Sequence, residues 1–142
     1  MKRKGHISQT YIKRDRDVLP MLYRRAKQQA DYPTSVDKIF NIMSELPTDR
    51  FYIADDAALF YVRKRYFHNE EVCFRTPQKQ KLFNALYDEV LLMMQEEKYK
   101  ALGLQATTIC ALMRPAPCVG LSPVGISKIF RRRKKEGCGN SE

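Results

Sequence analysis

The sequence predicts an all-α fold of about six helices in two similar three-helix halves, each with a short extended segment before its third helix. Three observations carry this expectation. Apolar residues recur at i, i+3, i+4 and i+7 along most of the chain, the signature of amphipathic helices. Two proline-broken stretches each lead into a segment ending in arginine and lysine. The pattern also repeats. Val18, Leu19, Leu22, Tyr23 and Ala26 recur 64 positions later as Leu82, Phe83, Leu86, Tyr87 and Val90, and LPTDRFYIADDAALFYVRKR (46–65) recurs 68 positions later as RPAPCVGLSPVGISKIFRRR (114–133). Self-similarity at a nearly fixed spacing is the mark of one supersecondary unit used twice.

Taken in order, residues 1–14 are polar and basic without a period and read as a flexible arm. A first helix follows, capped by Asp15 or Asp17 and running to about Ala30, with Pro20 tolerable only in its opening turn. Tyr32-Pro33-Thr34 breaks it, and Thr34 or Ser35 caps a second helix with Val36, Ile39, Phe40, Met43 and Leu46 on one face. Pro47 stops that helix, and Arg50 to Ile53, aromatic and β-branched, reads as extended. A third helix opens at Asp55-Asp56, two carboxylates suited to a helix N-terminus. Its expected buried stripe is Ala58, Leu59, Val62 and Tyr66, with Arg63, Lys64 and Arg65 in the last turns.

Residues 68–75 read as a linker between repeats spanning 15–67 and 76–135. Thr76-Pro77 is a cap followed by proline at the first helical position, opening a long helix that extends to about Tyr99 and ends by Gly103. A weaker helix covers Gln105 to Met113, with Ala106, Ile109, Cys110 and Met113 on one side. After Pro115-Ala116-Pro117, Ser122-Pro123 repeats the cap-plus-proline signal and opens the last helix, ending in five consecutive cations; 136–142 reads as a disordered tail.

The net charge of +10 is unevenly spread. Residues 1–27 carry +7 and residues 128–135 carry +6, so the remainder is slightly acidic. Charge gathered in two places speaks of partners, with phosphate backbones and anionic surfaces the usual ones. Cys73, Cys110, Cys118 and Cys138 have neither CxxC nor zinc-ladder spacing, and His6 and His68 complete no ligand set, so free thiols and no metal are expected. No apolar run reaches the roughly 20 residues of a membrane span, and the basic start lacks the apolar core of a secretory signal. The reading is therefore cytoplasmic, with no membrane and no cofactor. Walker, GxGxxG, nucleophile-elbow and HExxH motifs are missing from the sequence. Neighbouring carboxylates such as Asp55 and Asp56 point to different faces of a helix, so no enzyme is expected.

The phrase P-x-x-R-F-Y-I (Pro47 to Ile53) before a short helix, with the later P-A-P-x-x-x-L-S, resembles a group of small, basic bacterial proteins. The resemblance covers both proline segments and the helices after them. It implies the fold unit and a bacterial setting, and no activity.

Three helices with a basic third resemble the helix-turn-helix layout. Here some eight residues separate Leu46 from Asp55, and the cations sit at helix C-termini, which suits phosphate contacts better than base reading. Pairing of RFYI with CVGL (118–121), ribbon-helix-helix fashion, would leave Arg50 and Tyr52 outward. Phe51, Tyr52, Tyr61, Tyr66 and Phe67 have the composition of a stacking platform, although Phe51 and Tyr66 read as core and Tyr61 as a surface ring. The expectation is thus nucleic-acid binding, double-stranded DNA ahead of RNA. It is assigned to Arg63, Lys64, Arg65, Lys128, Arg131, Arg132, Arg133, Lys134 and Lys135, with Arg50, and with 131–135 dominant. The alternative is a protein–protein adaptor for an acidic partner, with no nucleic-acid binding.

Overall fold

A computed structural model describes residues 8–30 and 35–140, with side chains of the last helix through Arg132. The start of the basic arm (1–7), the break at 31–34 with the Thr34 cap, the side chains of Arg133, Lys134, Lys135 and Cys138, and residues 141–142 lie outside the described residues. Within them the chain forms seven helices and no strand.

Helix α1 spans 9–29 and begins well before Asp15: Ser8 caps it, its Oγ accepting from the Thr10 N–H at 3.1 Å. It survives Pro20 because Arg14–Val18 is a π-helical turn, in which the Leu19 N–H reaches back to the Arg14 carbonyl. The wider turn relieves the crowding that a proline ring imposes on the carbonyl four residues back. Helices α2 (Val36–Met43), α3 (Asp55–His68) and α4 (Pro77–Met93) follow. Ser35 and Thr76 cap α2 and α4, each accepting at 3.3 Å from the N–H three residues on. Asn69, at φ 51°, closes α3 as a left-handed residue.

The run expected to continue to about Tyr99 breaks at Met94, and α5 (Glu97–Leu102) starts afresh. Tyr99 is buried, yet it lies nine residues after buried Val90, about two and a half turns along a straight helix and so on the opposite face. The bend brings it back to the core. Helix α6 (Leu104–Ala111) presents a different face from the one its apolar residues suggest. Thr107 and Thr108 are fully buried, while Cys110 and Met113 are exposed. Each threonine hydroxyl donates to the carbonyl four residues back, at 2.7 and 2.8 Å, which hides its polarity and lets the methyl pack. Helix α7 (Pro123–Asn140) runs into the segment read as a tail.

Val36 and Leu104, Thr48 and Ala116, and Asp55 and Pro123 each stand 68 residues apart and hold corresponding places. Thr48 and Ala116 pair with each other: each N–H donates to the other's carbonyl at 3.0 Å, antiparallel. The Phe51 N–H donates to the Leu112 carbonyl at 2.9 Å.

The helices do not assemble as two contiguous bundles. Helix α3 packs against α4 and α6, and α7 packs against α2. The core accordingly has two clusters. One joins Ala58, Tyr61 and Val62 of α3 with Leu82, Leu86 and Val90 of α4 and Ala111 of α6. The other joins Leu19, Leu22 and Ala26 of α1 with Ile39, Phe40 and Met43 of α2 and Ile126 and Ile129 of α7. Helix α3 thus joins α4 and α6, and α7 joins α1 and α2. The extended segments run between the clusters, so alternate side chains enter opposite cores. Phe51, Ile53 and Cys118 go to one; Tyr52 and Val119 go to the other.

Four expected exposures are corrected. Tyr52 does not face outward; it is 3% exposed, its hydroxyl donating to Asp49 Oδ1 at 2.7 Å. Tyr61 is core and Tyr66 is surface, at 2% and 42% exposure. Tyr61 packs edge-on to Phe83 at 5.1 Å, and its hydroxyl donates to Asn84 Oδ1 at 2.6 Å. A buried ring with a satisfied polar tip needs no outward position. Val36, at the first turn of α2, is 53% exposed rather than part of the buried face.

Candidate nucleic-acid interface

The crossing of α7 decides which cations meet. Its Phe130 ring packs on Tyr23 of α1, with centroids 5.6 Å apart and planes at 45°, and edge-on to Phe40 of α2 at 5.4 Å. The ring contact joins α1 to α7, and Arg24 lines the cleft beside it. Arg24, Arg25 and Lys27 of α1 and Lys128, Arg131 and Arg132 of α7 are exposed. None of the six forms an ion pair among the described residues. Lys27 Nζ stands 6.0 Å from the Tyr23 centroid, and Arg131 donates to Ser127 Oγ at 3.2 Å. Arg133, Lys134 and Lys135 continue α7, their side chains outside the described residues.

Nearer the start of α1 the charge is spent locally. Arg14 pairs with Asp15 and Arg16 with Asp17, both at 2.9 Å. Among the described cations of α1, Lys13 near its start and Arg24, Arg25 and Lys27 in its last turns are exposed and form no ion pair. Like charges held together without counter-charges set up a positive potential that attracts an anionic partner and weakens with salt.

The end of α3 is differently placed. Arg63 donates to Gln105 Oε1 at 2.8 Å. Lys64 pairs with Glu70 at 3.3 Å and lies over the Phe60 ring at 5.3 Å. Arg65 stacks 4.1 Å above the Tyr87 ring and donates to the Tyr61 hydroxyl at 3.2 Å. The groove beside them, about 540 Å³, also contains Asp56 and Glu70. Carboxylates there oppose a phosphate, and Arg63, Lys64 and Arg65 each hold a partner within the protein. Arg50 is likewise engaged within the protein. Its guanidinium donates twice to the Phe51 carbonyl, at 2.9 and 3.1 Å, and covers the Tyr52 ring at 5.2 Å.

The structure brings Lys128, Arg131 and Arg132, named from the sequence, onto a helix whose Phe130 contacts α1, and so adds Arg24, Arg25 and Lys27 as candidates. Their signal in the sequence was the +7 of the first 27 residues. Nothing in the local pattern shows that Phe130 meets Tyr23. Among the described residues no helix is long and apolar enough to cross a membrane, and no group of histidine, cysteine and carboxylate side chains has a metal-holding arrangement. No protein-family model, curated protein or solved structure matches the chain.

Proposed function

We propose that the protein binds nucleic acid, double-stranded DNA ahead of RNA, by phosphate contacts from the face shared by α1 and α7. The observation that carries the reading is the Tyr23–Phe130 contact, which joins α1 to α7. Rigid helices hold Arg24, Arg25, Lys27, Lys128, Arg131 and Arg132 at fixed spacings, which suits the regular phosphate rows of a duplex. The helix-turn-helix likeness takes a discontinuous form here. Its basic third helix, α7, comes from the opposite half. The shared 68-residue register of the turns supports treating the halves as copies of one unit, and the copies are unequal: the cations ending α3 hold partners within the protein, whereas those of α1 and α7 named above form no ion pair among the described residues. Free thiols at exposed Cys73 and Cys110 fit a reducing cytoplasm.

Fluorescence anisotropy with a labelled random-sequence duplex tests the reading. Six phosphate contacts predict that affinity falls by about a thousandfold between roughly 50 and 200 mM salt. No duplex binding at the lower salt would rule the reading out and leave an adaptor for an acidic protein. Tighter binding to structured RNA at equal salt would reassign the ligand.

A further inference from the structure

Resting on that reading, we infer that the α1/α7 face holds a stacking cleft for one unpaired nucleobase, so that the preferred ligand is a duplex carrying a single-stranded end. Between α1 and α7 lies a cleft of about 300 Å³ lined by Pro20, Tyr23, Arg24 and Phe130. Tyr23 and Phe130 are aromatic rings, Pro20 adds a saturated ring, and Arg24 brings a planar guanidinium. Tyr23 and Phe130 are only partly buried, so their rings form an open ledge rather than core. The Tyr23 hydroxyl makes no hydrogen bond among the described residues, so nothing inside the protein claims that edge of the ring.

The surroundings choose the occupant. A purely apolar ligand would find Arg24 lining a small ledge and Lys27 beside the Tyr23 ring, with little hydrocarbon surface to bury. A nucleobase offers a π face to Tyr23 and Phe130, and its own phosphates reach the cations beside it. Base–aromatic stacking is tolerant of base identity, as is a phosphate-gripping face, so the two elements agree. A base inside a duplex cannot reach the ledge without unstacking, whereas a base in an overhang is already free.

Three ligands share one duplex core in the test: blunt, with a short 3′ single-stranded overhang, and with an overhang of equal length built from abasic residues. The overhang with bases should bind at least about fivefold tighter than the abasic one, the lower end of the stacking range for a single base. Tyr23→Phe should keep that preference. Tyr23→Leu should abolish it, so that the normal and abasic overhangs bind alike. Equal binding of abasic and normal overhangs by the wild-type protein overturns the cleft and leaves duplex binding standing. Failure of all three ligands overturns the proposed function itself. The abasic comparison uses only wild-type protein, so it decides the matter even where Tyr23→Leu fails to fold.

Discussion

Alanine at Gly120 tests how the second proline segment is seated on α4. Gly120 has φ 84°, a backbone region that a side chain strains, and a Cβ built there would lie 2.5 Å from Leu82 Cδ2. Leu82 is 2% exposed, so its methyl has little room to move aside. Backbone strain costs about 1–3 kcal/mol, and forcing an extra carbon into a packed core costs about 1–3 kcal/mol more. Gly103 provides the control. Its φ is 98°, yet a Cβ there meets nothing within 4 Å, so Gly103→Ala carries the backbone cost alone. Urea unfolding followed by circular dichroism should show Gly120→Ala less stable than Gly103→Ala by about 1–3 kcal/mol. Leu82→Ala should then absorb the new methyl, so that Gly120→Ala on that background loses its steric part. Strict additivity of Leu82→Ala and Gly120→Ala would refute the close approach, because coupling is the signature of contact.

Three further outcomes are expected. Phe40→Leu and Phe130→Leu should couple by about 0.5–1.5 kcal/mol in a double-mutant cycle, whereas Phe40 and Phe83, which lie in separate clusters, should be additive. Burial first, and then the hydrogen bond to Asp49, push the Tyr52 phenol from 10.0 up to about 12. The folded state therefore favours the neutral phenol; that contribution is whole below pH 10.0 and is lost as pH rises toward about 12. Unfolding free energy should fall less steeply across this window in Tyr52→Phe than in wild type, and identical slopes would contradict the assignment. Under native conditions a thiol reagent, with sites mapped by mass spectrometry, should modify exposed Cys73 and Cys110 well before Cys118. Burial both shields the Cys118 sulfur and raises its pKa, so modification at a matching rate would contradict its place in the core.

Most helices were legible because they rest on local chemistry. Ser35, Thr76-Pro77 and Ser122-Pro123 announce their helices in the few residues that cap them, and Pro47 and Pro115 end the preceding turns at corresponding places. The exceptions share a cause: a distant partner changed the meaning of a local pattern. Tyr61 and Tyr66 are both aromatic, and only Asn84, 23 residues on from Tyr61, makes one of them core. Thr107 and Thr108 count as polar until their hydroxyls turn back on the helix. Pro20 reads as a start signal unless the π turn before it is known. The same limit governed the site. Charge distribution marked both basic segments, but only the tertiary contact of Phe130 with Tyr23 joins their helices, while Arg65, prominent in the sequence, is drawn inward by Tyr61 and Tyr87.

The central claim, that one face made by α1 and α7 supplies the phosphate contacts, is tested most directly by comparing the salt dependence of duplex binding in two variants. One replaces Arg24, Lys27, Arg131 and Arg132 with alanine, and the other replaces Arg63 and Lys64. Each lost phosphate contact lowers the slope of log affinity against log salt by about 0.9. The account predicts a slope shallower by about 3–4 in the first variant and unchanged in the second. A wild-type slope in the first variant, or a larger loss in the second, would contradict it.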